Sequence, residues 1–433
     1  MTISRSSVVR RCFAISLIAL GALVIDFDSA FADDEGGADV LSRARPEYDA
    51  RGVRAGTFFL YPSITGGVSY SDNVFNGQSN IDDYFYALSP QIRLNSDWAR
   101  HALNLSAEAK SHWYDTQSSE DRTDWSVSAD GRIDIARGSD IKVEAHHIEL
   151  HEARGTDQTG GFAVGDPAEP TGLSRTGVSG EIGYAFNRLR LSAGGSLENI
   201  DYEDTPCVTA CVPPVVPAVI NNDDRDRTVV DVFAKVAFEA AAGAALFVRG
   251  RWMQHDFDAG VDDDGFNRDS DGWGIDGGLE FSMTHVLVGE VFAGYLVRRY
   301  DDPAFDDAAE FAFGAAVKWF PSMLTTVSVD ASRTIEDTSI GAASGYVSSQ
   351  GQIGVDHELL RNLILSGRFG YENAEYQESA RSDDILRASL GGRLLINNNL
   401  HFDAEWQFID RSSSDAAFDY ETNQFTISLT VKL

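Results

Sequence analysis

Two short segments contain residue types that bind metal ions. Asn267, Asp269 and Asp271 are spaced as in the opening of a calcium-binding loop, and Gly272 follows them. Gly278, however, occupies the position where such a loop needs a bidentate glutamate. A turn that leads into a β-strand accounts for the same residues, and we favour the turn.

The second segment, residues 144–152, reads EAHHIELHE. Consecutive side chains of a β-strand point to opposite faces, so few of these groups could converge on one ion. We interpret the segment as the polar end of a strand beside a loop. The sequence also lacks the local signatures of serine hydrolases, zinc proteases and nucleotide-binding proteins. We therefore predict no catalytic residue, no metal site, no cofactor and no enzymatic activity.

The elements that carry the charged residues are predicted to be strands. In residues 425–433 every second residue is apolar and the intervening ones are Thr, Ser or Lys. This alternation gives a strand one apolar face and one polar face. It recurs along the chain in about 18 segments, with 16 as the lower count. We predict an all-β fold, a transmembrane antiparallel up-and-down β-barrel whose apolar face meets lipid, over a soluble all-β sandwich.

The connections between these segments favour the membrane barrel. Short turns, for example at residues 187–188, alternate with long polar loops at residues 71–81, 153–171, 204–224 and 258–268. Barrels of the bacterial outer membrane have short turns on the periplasmic side and longer loops outside the cell. A soluble sandwich has no physical reason to alternate its connections in this way.

If the apolar face points outward, the charged residues on the opposite face line the lumen. The candidate lining residues are Arg93, Lys110, Arg132, Arg249, Arg251, Arg298, Lys318, Arg368, Arg393, Glu108, Asp130, Glu280, Glu290, Asp403 and Glu405. Such a lining can hold water and a polar solute, or it can be cross-linked by salt bridges across a narrowed pore. Both interpretations stay open at this stage.

The N-terminus predicts export. Residues 1–32 have a charged start, a short apolar run and the sequence Ala30-Phe31-Ala32, so we expect a signal peptide that is cleaved after Ala32. Residues 33–55 contain few apolar side chains and are predicted to be a flexible periplasmic lead-in. Residues 56–433 then form the barrel.

Charge and cysteines limit the partners. The formal net charge is -32 with a pI near 4.5, which argues against nucleic acid as a partner. The excess acid is concentrated in the loops, where its ordinary state is solvation; binding of divalent cations shared with lipopolysaccharide is the alternative. Cys207 and Cys211 lie in the loop sequence CVTAC, and we predict a local disulfide between them.

Several motifs resemble those of one family. Residues 42–49 read SRARPEYD, residues 70–75 read YSDNVF, and a turn with the sequence SDW follows at residues 96–98. In these motifs, and in the strand pattern down to Leu433, the chain resembles the putative beta-barrel porin 2 family. It departs from the usual pattern in ending on leucine where such barrels typically end on an aromatic residue. The resemblance implies a barrel in the outer membrane of a Gram-negative bacterium. It also implies a link to surface-polysaccharide export, in which the barrel stands above a periplasmic export protein.

Three functions follow as hypotheses. The first is a channel for a hydrophilic solute, specifically the outer-membrane conduit of an exopolysaccharide export system. The second is a general diffusion porin, which needs an inward-folded loop, and only residues 153–171 and 204–224 are long enough for one. The third is a non-conducting barrel with a structural or surface-interaction role, its lumen blocked by salt bridges or by residues 33–55. Lipid and lipopolysaccharide of the outer membrane are the expected surroundings in each case.

Overall fold

The alternating sequence forms eighteen long antiparallel strands. The computed structural model describes residues 39–156, 167–208, 219–283, 286–338, 340–341 and 343–433. The strands are β1 (Phe58–Ser71), β2 (Asp83–Ser96), β3 (Ala102–Tyr114), β4 (Arg122–Ala136), β5 (Ser139–His151), β6 (Gly172–Phe186), β7 (Leu189–Tyr202), β8 (Arg227–Ala241), β9 (Ala244–Phe257), β10 (Ser270–Met283), β11 (Leu287–Tyr300), β12 (Ala308–Ser322), β13 (Thr325–Glu336), β14 (Tyr346–Leu360), β15 (Leu363–Tyr376), β16 (Ser382–Asn397), β17 (Leu400–Ser413) and β18 (Tyr420–Lys432). Three shorter strands, Val53–Ala55, Thr205–Pro206 and Val219–Ile220, lie outside this series.

The strands close into a barrel. Each strand pairs antiparallel with its neighbours in sequence, and the first pairs with the last, from Ser63 opposite Lys432 to Ser71 opposite Gln424. Closure satisfies the backbone groups that an open sheet would leave at its two edges. The predicted up-and-down barrel with 18 strands is therefore confirmed, and the count of 16 is wrong.

The two faces of the sheet differ as the alternation predicts. On the convex face, large apolar side chains such as Ile92, Phe238 and Ile427 are about half exposed, which is the arrangement expected against lipid. The strands have 12 to 16 residues. A tilted strand needs about 9–11 residues to cross the hydrocarbon layer, so these strands extend beyond it. No helix among the described residues has the length and apolar character to cross a membrane.

The connections alternate in length around the barrel. Tight turns such as residues 187–188, 242–243 and 398–399 lie at one end, and the longer loops lie at the other. Gly243 has φ +74°, and a Cβ at this position would lie 2.4 Å from the Ser282 carbonyl oxygen, so the turn requires glycine. The sequence also predicts a short turn at residues 284–285, which lie outside the described residues. β1 begins at Phe58 and β18 ends at Lys432, and both of these strand ends lie at the tight-turn end.

Tryptophans mark both ends of the convex face. Trp98 and Trp319 lie near the tight turns, and both are more than a third exposed. Toward the long loops, the exposed tryptophans are Trp113, Trp125, Trp252 and Trp273. Aromatic girdles of this kind sit at the two boundaries between lipid and water.

Candidate functional site: the inner face and the two mouths of the barrel

An ion-pair cluster covers the inner face of β8–β11. Arg249 pairs with Asp276 at 2.9 Å and with Glu290 at 3.3 Å, and Lys235 pairs with Glu290 at 2.5 Å. Arg251 lies 3.1 Å from Asp276. These residues come from four successive strands, and only the concave side brings the ends of their side chains together. We call Lys235, Arg249, Arg251, Asp276, Glu280 and Glu290 the wall cluster.

Two phenylalanines are packed into the wall cluster. The Lys235 ammonium lies 4.1 Å from the centre of the Phe247 ring, and the Arg249 guanidinium lies 4.6 Å from that of Phe292. Gly278 lies between the two rings in register, and a Cβ there would come within 2.5 Å of Phe247. The glycine therefore makes room for the Phe247 ring. Burial beside aromatic faces strengthens the cluster's electrostatic contacts.

Most of the other predicted inner residues also have partners. Arg368 donates to both carboxylate oxygens of Asp356, at 2.9 and 2.8 Å. The remaining contacts are Arg393 with Asp403 at 2.6 Å, Arg132 with Asp134 at 3.1 Å, Gln91 donating to Glu108 at 2.8 Å, and Asn104 donating to Asp130 at 2.7 Å. In the wall cluster, Glu280 pairs with Lys235 and with Arg190.

For three more predicted residues, the strand that carries each one gives its position. Arg93 is half-buried on β2, on the face opposite the lipid-facing Ile92. Lys110 lies opposite Asp124 in the ladder between β3 and β4. Glu405 on β17 is exposed. Their positions agree with the inner face, and their role as lining of a water-filled path stays a prediction.

Asp337 joins the barrel wall to the loop that follows β13. Its carboxylate lies 3.1 Å from Arg227 of β8, accepts a 2.8 Å hydrogen bond from His255 of β9, and pairs with Arg298 of β11. Burial alone would raise the pKa of Asp337, but Arg298, His255 and Arg227 hold it well below its usual value. Strands this far apart can share one carboxylate only across the inside of the barrel. The tip of the β13–β14 hairpin is therefore folded inward.

Arg268, in the loop between β9 and β10, holds the same tip in place. Its guanidinium donates to the carbonyl oxygens of Thr338 at 2.7 Å, Gly341 at 2.8 Å and Ala343 at 2.9 Å. It also pairs with Asp262 of its own loop at 2.6 Å. A fixed planar donor that meets several carbonyls gives the tip one defined position.

A second inward-folded segment, residues 152–156, follows β5. Arg411 of β17 donates to the Gly155 carbonyl oxygen, although β4, β3, β2, β1 and β18 lie between β5 and β17. Two buried ion pairs fix the segment, Arg154 with Glu120 at 3.0 Å and Arg225 with Glu152 at 3.1 Å. Both inward-folded parts lie at the long-loop end. Together they narrow that mouth of the barrel.

Residues 39–49 occupy the opposite mouth, and we call them the N-terminal strap. Val40 is 1% exposed and packs against Ile364 and Leu395, and its backbone N–H donates to Thr326 Oγ1 at 3.0 Å. These wall residues belong to the inner face of β13, β15 and β16. The strap therefore lies inside the rim at the tight-turn end.

Charged contacts also anchor the strap. Arg43 and Arg45 both pair with Glu358 of β14, the second at 2.8 Å, and Asp39 pairs with Lys318 of β12 at 3.1 Å. Lys318 is thus a predicted inner residue whose partner is the chain's own N-terminal segment. Flexibility was predicted for residues 33–55; the structure describes residues 39–55 and gives the strap specific wall contacts.

The candidate metal segments have other partners. Asn267 Oδ1 accepts a 2.9 Å hydrogen bond from the Asp269 backbone N–H, directly before β10, as expected for a turn entering a strand. His146 bonds to Glu198 at 3.2 Å on one face of β5, and His147 bonds to Thr176 at 2.7 Å. Within the described parts of the chain, no three His, Cys, Asp or Glu residues are grouped to hold a metal ion.

Of the two cysteines in the predicted disulfide, the structure describes one. Cys207 is disulfide-bonded. Cys211 lies outside the described residues, so the pairing of the two stays a prediction.

Some residues of the two mouths were not singled out from the sequence. Asp337, Arg268 and Glu358 belong to this group, and each meets partners more than thirty residues away. A local pattern cannot reveal contacts of this kind. The one available signal was a charge that interrupts or borders an alternating segment.

The closed barrel, polar inside and apolar outside with narrowed mouths, defines a porin-type barrel of the outer membrane. The sequence profile of the putative beta-barrel porin 2 family matches residues 45–433, and the chain belongs to that family. No curated protein sequence matches this chain.

Solved structures of similar fold are distant. A BenF-like porin from Pseudomonas fluorescens Pf-5 has 10% identity and a TM-score of 0.44, covering 86% of this chain and 99% of that one. OpdK from Pseudomonas aeruginosa has 12% identity and a TM-score of 0.43, covering 86% and 98%. The siderophore receptor PirA from Acinetobacter baumannii has 7% identity and a TM-score of 0.44, covering 86% and 80%. Similarity at this level carries no argument about solutes.

Proposed function

We propose that this protein is an outer-membrane porin through which small hydrophilic solutes diffuse. The observation that carries the proposal is the inward-folded tip of the β13–β14 hairpin, which Asp337 and Arg268 anchor inside the mouth. A diffusion porin needs such an element to set a size limit. The wall cluster supports the proposal, because its three positive and three negative charges do not strongly favour one sign of solute.

The exopolysaccharide conduit has less support. A polymer in transit needs a continuous clear path. Buried ion pairs, however, fix two segments inside the mouth at the long-loop end, which we call the outer mouth. The strap lies inside the mouth at the tight-turn end. The family match does not point to a periplasmic export protein. That partner, contact with lipopolysaccharide and signal-peptide cleavage after Ala32 remain predictions.

The direct test is the single-channel conductance of the mature protein in a planar bilayer. It is combined with swelling of liposomes in arabinose, sucrose and larger oligosaccharides. We expect steady conductance that scales with salt, and swelling that stops above a definite sugar size. The protein without residues 33–55 serves as the comparison. If the intact protein does not conduct and the truncated protein does, the strap blocks the pore. If neither protein conducts although the barrel is folded, only the structural role is left.

A further inference from the structure

The wall of the barrel is incomplete between the outer ends of β12 and β13. The ladder between these strands ends at Phe313 opposite Arg333. The ladder between β11 and β12 continues to Ala308, and that between β13 and β14 continues to Glu336. Residues 308–312 and residues 334–336 are therefore each paired on one side only. We call this place the β12–β13 seam.

Side-chain contacts show that the two sides of the seam overlap. Ile335 and Val347 continue the alternation of lipid-facing residues such as Val329, yet they are only 8% and 1% exposed. They pack instead against Leu296 and Ala312 of the inner face. The hairpin tip has moved inward behind β11 and β12. The wall here consists of two overlapping layers without a hydrogen-bonded ladder between them.

The material between the two layers is apolar. Ile335, Val347, Leu296, Ala308 and Ala312 form one buried cluster with Phe305. The charged contact that spans the seam is the pair of Arg333 and Glu310 at 3.0 Å, at the lower end of the unpaired stretch. Ions and sugars lose their hydration in such a layer, whereas an alkyl chain is stabilised there.

The seam lies at the level of the outer aromatic girdle. Trp273 is in register with Val297, and Val297 is in register with Ala309. Phe311 lies two residues beyond Ala309 on the same strand, nearer the membrane centre, and it is 56% exposed on the convex face. A side opening at this depth would join the wetted mouth to the outer leaflet. About 17 Å of strand, five residues at about 3.4 Å each, lacks a partner there.

We propose that the β12–β13 seam is a lateral passage for amphipathic molecules with a single alkyl chain. The head group stays in the wetted mouth, and the chain passes between the layers into the outer leaflet. Small displacements of Ile335 and Val347 open the path, because no backbone hydrogen bond between β12 and β13 has to break there. This route is separate from diffusion of hydrophilic solutes along the barrel axis.

The test uses a long-chain fatty acid that carries a photoreactive diazirine at its end. The probe is added to the full-length mature protein in phosphatidylcholine nanodiscs, and labelled residues are identified by mass spectrometry. Glu310→Cys and Arg333→Cys, made in a Cys207→Ser, Cys211→Ser background, are bridged by a bismaleimide to lock the seam. The matched control locks Val297→Cys to Ala309→Cys, which face each other in a complete ladder at the same height.

We expect the probe to label Ile335 and Val347 in the unlocked protein and in the control, and the label to fall to background in the locked seam. Potassium chloride conductance should be equal in all three. Labelling confined to convex residues such as Phe311 and Ile353, or unchanged by the lock, overturns the passage. If the protein does not conduct but Ile335 is still labelled, the porin function is refuted and the lateral passage is supported. Heat-dependent mobility on gels confirms that each variant is folded.

Discussion

Arg227 and Asp337 form an ion pair with an N···O distance of 3.1 Å, although β9, β10, β11 and β12 lie between their positions in the wall. The contact crosses the inside of the barrel and joins the start of β8 to the end of β13. A carboxylate shared with Arg298 and His255 at the same point makes this junction the anchor of the outer mouth.

Replacing Asp337 should widen the outer mouth. In Asp337→Asn the buried guanidinium of Arg298 loses its charged partner, and breaking such a pair typically costs about 3–5 kcal/mol. We expect the β13–β14 tip to leave its position and the single-channel conductance to rise. Asp307→Asn, at an exposed loop carboxylate, is the control and should conduct like the parent. Unchanged conductance in Asp337→Asn would show that this tip does not limit the current.

The same anchor should survive mild acid. The pKa of Asp337 lies well below its usual value, because Arg298, His255 and Arg227 outweigh the effect of burial. A lowered folded-state pKa gives stability that is present above the unfolded value, about 3.9, and is lost only as the pH falls through the folded value. Conductance at pH 4.5 should therefore match that at pH 7. A reversible rise between these values would contradict the assignment.

Asp226 predicts the opposite pH dependence for the loop before β8. Burial, with the nearby carboxylates of Asp201, Asp223 and Asp258, raises its pKa to about 6. A raised folded-state pKa favours the neutral acid, so the loop loses stability as the pH rises from about 4 to about 6. Hydrogen exchange of the Tyr202 amide, which donates to Asp226 at 2.6 Å, should accelerate beyond its intrinsic pH dependence across this range. Asp226→Asn should abolish the excess.

The strap should protect its own peptide bonds. Val40→Asp places a charge at a position that is 1% exposed, and an unpaired buried charge is strongly unfavourable. We expect the strap to detach and trypsin to cleave after Arg43, which is protected while Arg43 pairs with Glu358. Arg361→Ala removes only the exposed pair with Glu47 and should leave Arg43 protected. Equal cleavage in the parent and in Val40→Asp would show that the strap is not held.

The wall cluster should influence ion selectivity. Glu290→Gln removes one negative charge next to Lys235 and Arg249. The reversal potential in a potassium chloride gradient should therefore shift toward the equilibrium potential of chloride. The compensating double variant, Lys235→Met with Glu290→Gln, should move selectivity back. If neither variant alters the reversal potential, the current does not pass along this wall.

Much of the fold was predictable because alternation is a local property. Residues 425–433 showed it, the other strands repeated it, and the face of each charged residue followed. Arg249, Glu290 and Arg368 could thus be placed on one face before any contact was known. Their partners could not, because a pattern with period two does not say which strands face each other across the inside.

The alternation of apolar and polar residues did not predict which loops fold inward at the outer mouth. Loop length favoured residues 153–171 and 204–224 as inward-folded, and residues 152–156 do fold inward. The shorter loop after β13 does so as well, because Asp337 and Arg268 fix it through specific partners and length plays no part. Ile335 and Val347 keep the lipid-facing alternation while they are buried inside, because the hairpin tip is displaced inward, and no local pattern records this displacement.

The β13–β14 hairpin meets both mouths. At one end Thr326 and Glu358 hold the strap, and at the other end Asp337 is bound to β8, β9 and β11. Between them the ladder runs without interruption from Thr325 opposite His357 to Glu336 opposite Tyr346. Because the two-stranded ribbon is continuous and held at both ends, the positions of its two ends are mechanically coupled. We therefore expect a displacement of the strap at the tight-turn end to shift Asp337 at the long-loop end.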